Sequence, residues 1–342
     1  MKNTIFILSA AFILLFILWG VEWRSQLIKS SKIIPVIFET DMGNDIDDAL
    51  ALDMLYKYNK SGKIKIIGMM TNREGDSSPE FLDIMNTFYG YKKIPIGSVK
   101  KGAMCEGDSH YTEAVCEMKK GNKPAFKREI KDIKAVPEAY KLYRRLLSLS
   151  KDSSVVIISV GFSTNLARLM ESGPDEYSKD SGKDLIAKKV KHLYMMAGEF
   201  VHQNYTEYNV VKDIPAAKMV FEQWPGQITT SPFIVGEKIL YPGSSIAEMD
   251  NENEPHPMIE AYKAYSKMSY DRPTWDLTAV LCAIEPSEKY FSLSEKGFIT
   301  VNEFGTTTFT PDNKGNSQFM SVTDQQAKNT KEKLVEIITS EY

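Results

Sequence analysis

A run of apolar residues, Ile33–Phe38, passes without a break into Glu39-Thr40-Asp41-Met42-Gly43-Asn44-Asp45-Ile46-Asp47-Asp48, and a helix-forming run, Ala49–Tyr56, follows at once. The chain is therefore expected to leave a strand, turn across four aspartates and enter a helix. Four carboxylates held so close repel one another, and the repulsion raises their pKa values. A bound cation removes that cost. Oxygen donors suit a hard cation, Ca²⁺ or Mg²⁺, better than zinc. Gly43 supplies the freedom that a tight turn needs. Asp47 and Asp48 fall where the first turn of a helix favours negative side chains. In an open α/β sheet, this carboxyl end of a strand is where ligands bind.

Simpler explanations account for less of the pattern. A helix N-cap needs one aspartate, not four. An EF-hand loop needs Gly at its sixth position and Glu at its twelfth. Started at Asp41, Asp45 or Asp47, the loop has no Gly at position six. A phosphatase-type D-x-D strand end is the weaker rival, because Glu39 stands where its nucleophilic Asp would be.

The rest of the chain reads as α/β. Apolar, β-rich runs occur at Ile33–Phe38, Ile64–Met70, Val155–Val160 and His192–Met196, with a weaker one at Ile228–Val235. Helical patterns alternate with them: one starting at Ser78-Pro79 and ending at Gly90, then Pro137–Leu149, Asn165–Glu171 and Pro215–Phe221. Near-continuous apolar strands separated by helices predict a single domain with a mostly parallel sheet covered by helices on both faces. After Pro286 the pattern changes to short alternating strands around Gly297–Phe309, a small hairpin, and an amphipathic helix over Asp324–Ile338 capped by Thr323. Hydrophobic residues make up 43% and charged residues 25% of the 342, ordinary values for a soluble globular domain. A net charge of −3 gives no basic field for nucleic acid.

The N-terminus is distinct. Lys2 precedes the almost unbroken apolar stretch Ile5–Val21, and Glu22, Arg24, Lys29 and Lys32 follow. Residues 1–30 read as a signal or membrane anchor, and residues 31–342 as the catalytic domain. The stretch exceeds the roughly 7–15 residues of a secretory h-region and lacks a small-x-small cleavage site. It falls slightly short of the roughly 20 residues that span a bilayer. An uncleaved signal-anchor is favoured, with the domain exported to the periplasm or the cell exterior. In an exported domain Cys105 and Cys116 could pair, and Cys282, in an apolar run, reads as a buried thiol. No C-x-x-C or Cys/His metal pattern is present.

The segments together resemble the inosine–uridine-preferring nucleoside hydrolases. The signature strand–D-T-D-x-G-x-D-D-A-x-A-L–helix appears here as E-T-D-M-G-N-D-I-D-D-A-L-A-L, with Glu39 for the first Asp and two extra loop residues. Ser159-Val160-Gly161-Phe162-Ser163-Thr164-Asn165-Leu166-Ala167 resembles the G-x-x-T-N-[LI]-A segment. Met195-Met196-Ala197-Gly198 and Glu207-Tyr208-Asn209 resemble M-G-G and E-F-N, and Trp275-Asp276-Leu277-Thr278-Ala279-Val280 resembles H-D-x-x-A-V. The resemblance implies a Ca²⁺-dependent N-glycosyl hydrolase acting on a nucleoside or riboside. It implies Asp41 as general base and metal ligand, with Asp48, Asp276 and the carbonyl of Val160 completing the site. It also implies that Asp47, Asn72, Glu207 and Asn209 bind ribose. Asp45 competes with Asp47 for the third aspartate's place, because it lies four residues after Asp41. The adjoining Ala49-Leu50-Ala51 favours Asp47. Asp76 competes with Asn72. Thr164 and Asn165 read as capping residues, and Asp276 alone would read as a helix N-cap.

Trp275 departs from the family pattern. Many purine-cleaving members of the family carry His there, which can protonate the leaving base. Trp cannot, but it can stack on a base, unless it is core packing beside the metal ligand. Lys101–Glu117 also lacks the family's H-G-x-x-G pattern. His110 and His202 are the substitute candidates for an acid, and surface positions are the plainer reading of both. Three functions stay open: a nucleoside hydrolase, a same-fold hydrolase of another riboside, and a catalytically silent ribose-binding protein at the membrane. A homo-oligomer is compatible with each.

Overall fold

The computed structural model describes residues 33–103, 109–202 and 204–341. The proposed N-terminal anchor and Cys105 lie outside them. Among the described residues, no helix is long and apolar enough to cross a membrane.

Nine strands build the main sheet: β1 (Ile34–Thr40), β2 (Ile64–Arg73), β3 (Ile96–Ala103), β4 (Val155–Ser159), β5 (Val190–Met196), β6 (Ile228–Ser231), β7 (Gly297–Val301), β8 (Thr307–Pro311) and β9 (Ser317–Ser321). Their spatial order is β8-β7-β9-β6-β5-β4-β1-β2-β3, and Ser292–Leu293 adds a short edge segment to β9. From β3 through β9 every pairing is parallel. β7 pairs antiparallel with β8 and β9, and Ser292–Leu293 pairs antiparallel with β9. The first six strands thus run 3-2-1-4-5-6, and the order reverses between β1 and β4. A crevice opens at such a reversal point, because the following chain segments leave for opposite faces of the sheet.

The period of two along a strand divides the core. Val36 and Phe38 of β1, with Val156 and Ile158 of β4, pack into one apolar cluster. Ile37, Val155 and Ile157 pack into the other. Both clusters are buried, which is why these strands read as continuous apolar runs. The helix Asp47–Lys60 covers the first face, with Asp47 and Asp48 in its first turn and Lys57 and Lys60 in its last. That polarity complements the helix dipole. The apolar helix Trp275–Ile284 packs against it in the same cluster. Helices Ala139–Leu149, Thr164–Glu171 and Ile214–Gln223 cover the other face.

One expectation needs correction. The weak run Ile228–Val235 is a strand only to Ser231; Pro232 cannot continue the ladder, and Phe233–Lys238 is a helix. The expected C-terminal hairpin is present as β7 and β8, and β9, which joins β6 in parallel, carries it into the sheet. The helix Asp324–Ile338 matches the expected range, and Thr323 with Gln326 closes a capping box.

Candidate active site

The acidic turn is held in shape from several sides. Gly43 has φ +109°, and a Cβ there would lie 2.8 Å from Arg73 and 3.0 Å from Thr112. The Gly43 amide donates to the Tyr111 hydroxyl (2.8 Å), which donates in turn to the Asp45 carbonyl (2.8 Å). Ser109 donates to the Asn44 carbonyl at 2.9 Å. The side chain of Asp45, which also lines the cleft, meets Arg272 in a two-pronged ion pair, Nε to Oδ1 at 2.7 Å. Asp47 and Asp48 point inward. Thr40 donates its hydroxyl to Asp48 and accepts the Met42 amide at 3.0 Å.

Asp276, at the start of its helix, meets them there. Carboxylate oxygens of Asp47, Asp48 and Asp276 lie within 4.8 Å of one another. All three are buried, and the Asp276 amide donates to Asp47 Oδ2 at 3.0 Å. Asp41, also buried, lines the same cleft. Burial first, and the neighbouring aspartates second, push the carboxyls of Asp47, Asp48 and Asp276 well above their ordinary range. Asp276 Oδ2 is buried without a hydrogen-bond partner among the described residues. An orphaned carboxylate oxygen beside two others, with no Cys or His among them, is a donor set that fits a hard divalent cation. The triad could therefore hold a metal ion.

The cleft has a volume of about 230 Å³, below the roughly 300–1,000 Å³ of drug-sized pockets, a size suited to a compact ligand. Val160, just past β4, also lines it. The Val160 carbonyl already accepts Asn209 Nδ2 at 3.1 Å, which uses one of its two lone pairs. Asn209 Nδ2 also donates to the Met196 carbonyl at 3.0 Å. Glu207 caps the short helix Tyr208–Val211; its Oε1 accepts the Asn209 amide (2.8 Å), and its Oε2 accepts the amides of Gly198 (3.0 Å) and Val210 (3.2 Å). Burial still raises the Glu207 carboxyl to about 7. Asn72 is not in the cleft lining. It is fully buried and donates to Glu39 Oε1 at 3.2 Å, beneath the floor.

Aromatic side chains form the remaining wall. The rings of Tyr205 and Phe233 lie 4.5 Å apart, and those of Phe233 and Trp275 5.4 Å apart at 26°. The Trp275 indole N–H donates to the Phe233 carbonyl at 2.9 Å, so its donor is spent within the protein. Gly236 lets the two approach: a Cβ there would lie 2.3 Å from the Trp275 ring. None of the chain's four histidines lines the cleft. His192 pairs with Thr229, His256 with Tyr89, His202 is 52% exposed, and His110 is exposed. Cys116 and Cys282 are buried free thiols away from it.

Sequence reasoning did not single out Tyr205, Phe233, Arg272 or Tyr111. None belongs to a spaced motif; they reach the site from loops and short helices that only the tertiary fold brings together. Glu39 was noted as a departure, and its environment is now clear. It is fully buried, hydrogen-bonded to Tyr143 (2.6 Å), Asn165 (3.0 Å) and Asn72, and burial raises its carboxyl to about 7. Asn165 is therefore a floor residue that ties β1 to the helix Thr164–Glu171, which follows β4.

Solved structures share this fold. A plant nucleoside hydrolase superposes with a TM-score of 0.68 at 17% identity, over 90% of this chain and 99% of the other. The inosine-uridine preferring nucleoside hydrolase from Bacillus anthracis gives 0.65 at 14% identity, over 90% and 99%. The type III effector protein XopQ, solved in complex with adenosine diphosphate ribose, gives 0.66 at 11% identity, over 94% and 97%. No curated protein sequence matches the chain. The family model for the inosine-uridine preferring nucleoside hydrolases matches residues 36–340, almost all of the described domain, and the chain belongs to that family of N-glycosyl hydrolases.

Proposed function

We propose that this protein is a Ca²⁺-dependent hydrolase that cleaves the N-glycosidic bond of ribonucleosides to free base and ribose. The observation that carries this reading is the convergence of four buried carboxylates, from the end of β1, the start of one helix and the start of a distant one, beside a cleft of compact-ligand size. Asp41, Asp48, Asp276 and the second lone pair of the Val160 carbonyl would hold the ion. When bound, a divalent cation lowers the pKa of the water it carries and anchors hydroxyl groups.

The chain's own residues supply the rest. Asp41 takes a proton from the attacking water. Water oxygen bonds to C1′ as the bond to the base breaks, and the positive charge that grows on the ribose ring lies among carboxylates. Asp47 accepts from a ribose hydroxyl. Asn209 has its amide committed to two carbonyls, which leaves its Oδ1 to accept from the far side of the sugar. The Trp275–Phe233–Tyr205 wall takes the base. In the cell, Ile5–Val21 would carry the domain across a membrane and tether it there.

Reducing-sugar release from a panel of nucleosides, measured in calcium and in chelator, tests this reading. Release that needs calcium supports it. Calorimetric binding of ribosides without release in any condition would instead leave a silent ribose-binding protein.

A further inference from the structure

A second feature stands apart from the cleft. Residues 118–135 hold seven basic residues and two acidic ones, in a chain whose net charge is −3. They form an irregular strap: Lys119–Lys120 pairs antiparallel with Lys123–Pro124, and a 3₁₀ turn spans Ile133–Ala135. The inner side of the strap is apolar. Phe126 is buried, and Met118, Ile130 and Ile133 pack on the same core cluster. Asp83 Oδ2 accepts the amides of Glu129 and Ile130, both at 2.8 Å, and pins the strap to the helix Ser77–Phe88. Arg128 is also used within the protein, on Glu80 at 2.9 Å. The lysines are left outside. Lys119, Lys123, Lys127, Lys131 and Lys134 are exposed and meet no acidic partner among the described residues. Exposed Lys93 prolongs this face to the amino end of β3, where Lys92 pairs with Glu129 at 2.5 Å. The cleft lies at the other, carboxyl end of the strands.

Like charges gathered on one exposed face repel one another, and the fold gains nothing from them. A fixed anionic surface turns that cost into attraction. A single-stranded nucleic acid is the poorer partner, because its bases want aromatic rings to stack on, and the one ring of the strap, Phe126, is buried. We infer, resting on the tether proposed above, that this lysine face binds the anionic phospholipid headgroups of the bilayer that holds the tether. Residues 22–33 join Ile5–Val21 to β1. Fully extended, they reach about 40 Å. The domain therefore stays beside the bilayer, and a weak attraction is enough to orient it. Arg24, Lys29 and Lys32 add charge of the same sign to that connection. Each lysine that comes within about 10 Å of the headgroups strengthens the contact about fivefold. The cleft, at the carboxyl ends of the strands, is left open to solvent.

The test acetylates the lysines of the full-length protein and reads each by mass spectrometry, on bilayers of phosphatidylcholine alone and of phosphatidylcholine mixed with phosphatidylglycerol. On the anionic bilayer Lys123, Lys127 and Lys131 should label more slowly by about fivefold or more. Lys314, exposed in the turn between β8 and β9, should label alike on both. Salt at about 1 M should erase the difference, because it cuts the Debye length to about 3 Å. Lys123→Gln, Lys127→Gln and Lys131→Gln combined should return Lys119 and Lys134 to the labelling rate seen on phosphatidylcholine. Equal labelling of the wild type on the two bilayers, with protein inserted in both, overturns the lipid face and leaves the tether standing. Protein that stays in solution with both bilayers overturns the tether and the lipid face together. Slower labelling with a single-stranded RNA, but not on the anionic bilayer, also overturns the lipid assignment. The wild-type comparison decides by itself if the triple variant fails to fold.

Discussion

Asp276→Asn should make the protein more stable without calcium and less responsive to it. Oxygens of Asp47, Asp48 and Asp276 lie within 4.8 Å of one another in a buried place. At an effective dielectric of about 20, two unit charges at that distance repel by about 3 kcal/mol. The substituted amide cannot ionise, so in chelator at neutral pH the variant escapes a repulsion of on the order of 3 kcal/mol per ionised pair. The sign with pH follows from the raised carboxyls. The unfolded chain ionises near its ordinary value of about 4, while the folded cluster holds its protons to higher pH. Metal-free stability is therefore greatest below that value and falls as pH rises toward the raised folded values. In Asp276→Asn that fall should be shallower. Calcium reverses the ranking, because a ligand at about 100 times its Kd stabilises by about 2.7 kcal/mol and the variant has lost a ligand oxygen. Urea unfolding near the unfolded value of about 4 and at neutral pH, in chelator and in calcium, gives all four comparisons. A variant less stable than wild type in chelator at the higher pH would refute the reasoning, since Asp276 would then support the fold rather than strain it.

Three further outcomes are expected. Asp41→Asn should lower kcat by about 10²–10⁴-fold through loss of the base; near-normal turnover with calcium bound, read by reducing-sugar release, would place the base elsewhere. Trp275→Ala should raise KM for nucleosides by the worth of one base–aromatic stack, about 1–3 kcal/mol, and an unchanged KM would make Trp275 packing only. Burial pushes the His192 imidazole down to about 4, with Lys191 adding to the effect. The neutral ring's contribution is complete above about pH 6.5 and is lost as pH falls toward about 4, by up to about 3 kcal/mol. Urea midpoints for His192→Gln should therefore drop less than those of wild type between about pH 7 and about pH 4.

Much of this was legible in the chain because local chemistry and tertiary role coincide. The apolar runs of β1 and β4 are buried on both faces, and that leaves an unbroken hydrophobic signature. The four aspartates after β1 could only be explained by something outside the helix itself. The competition between Asp45 and Asp47 could not be resolved by counting. Nor could counting foresee the ion pair that Arg272 makes with Asp45 from far along the chain. The β3 strand was missed because Lys100, Lys101 and Gly102 dilute its pattern at a sheet edge. β9 was missed because only its parallel seat beside β6 makes Ser317–Ser321 a strand. The aromatic wall left no periodic trace, since Tyr205, Phe233 and Trp275 sit on three separate segments.

The reversal of strand order between β1 and β4 bears on how the molecule is made. β1 emerges first from synthesis, yet its partner β4 follows only after β2, β3 and the long stretch between them. Pairings so distant in sequence carry a high entropic cost before they are rewarded, and folding slows accordingly. Asp41 and Asp48 must then wait still longer for Asp276. The cation site cannot exist on a nascent or half-folded chain. A cation held by these aspartates would therefore meet this protein as an inspector of finished molecules and not as a nucleus for folding, and cation-dependent protection from proteolysis should arise in refolding only after the last helix that carries a ligand has docked.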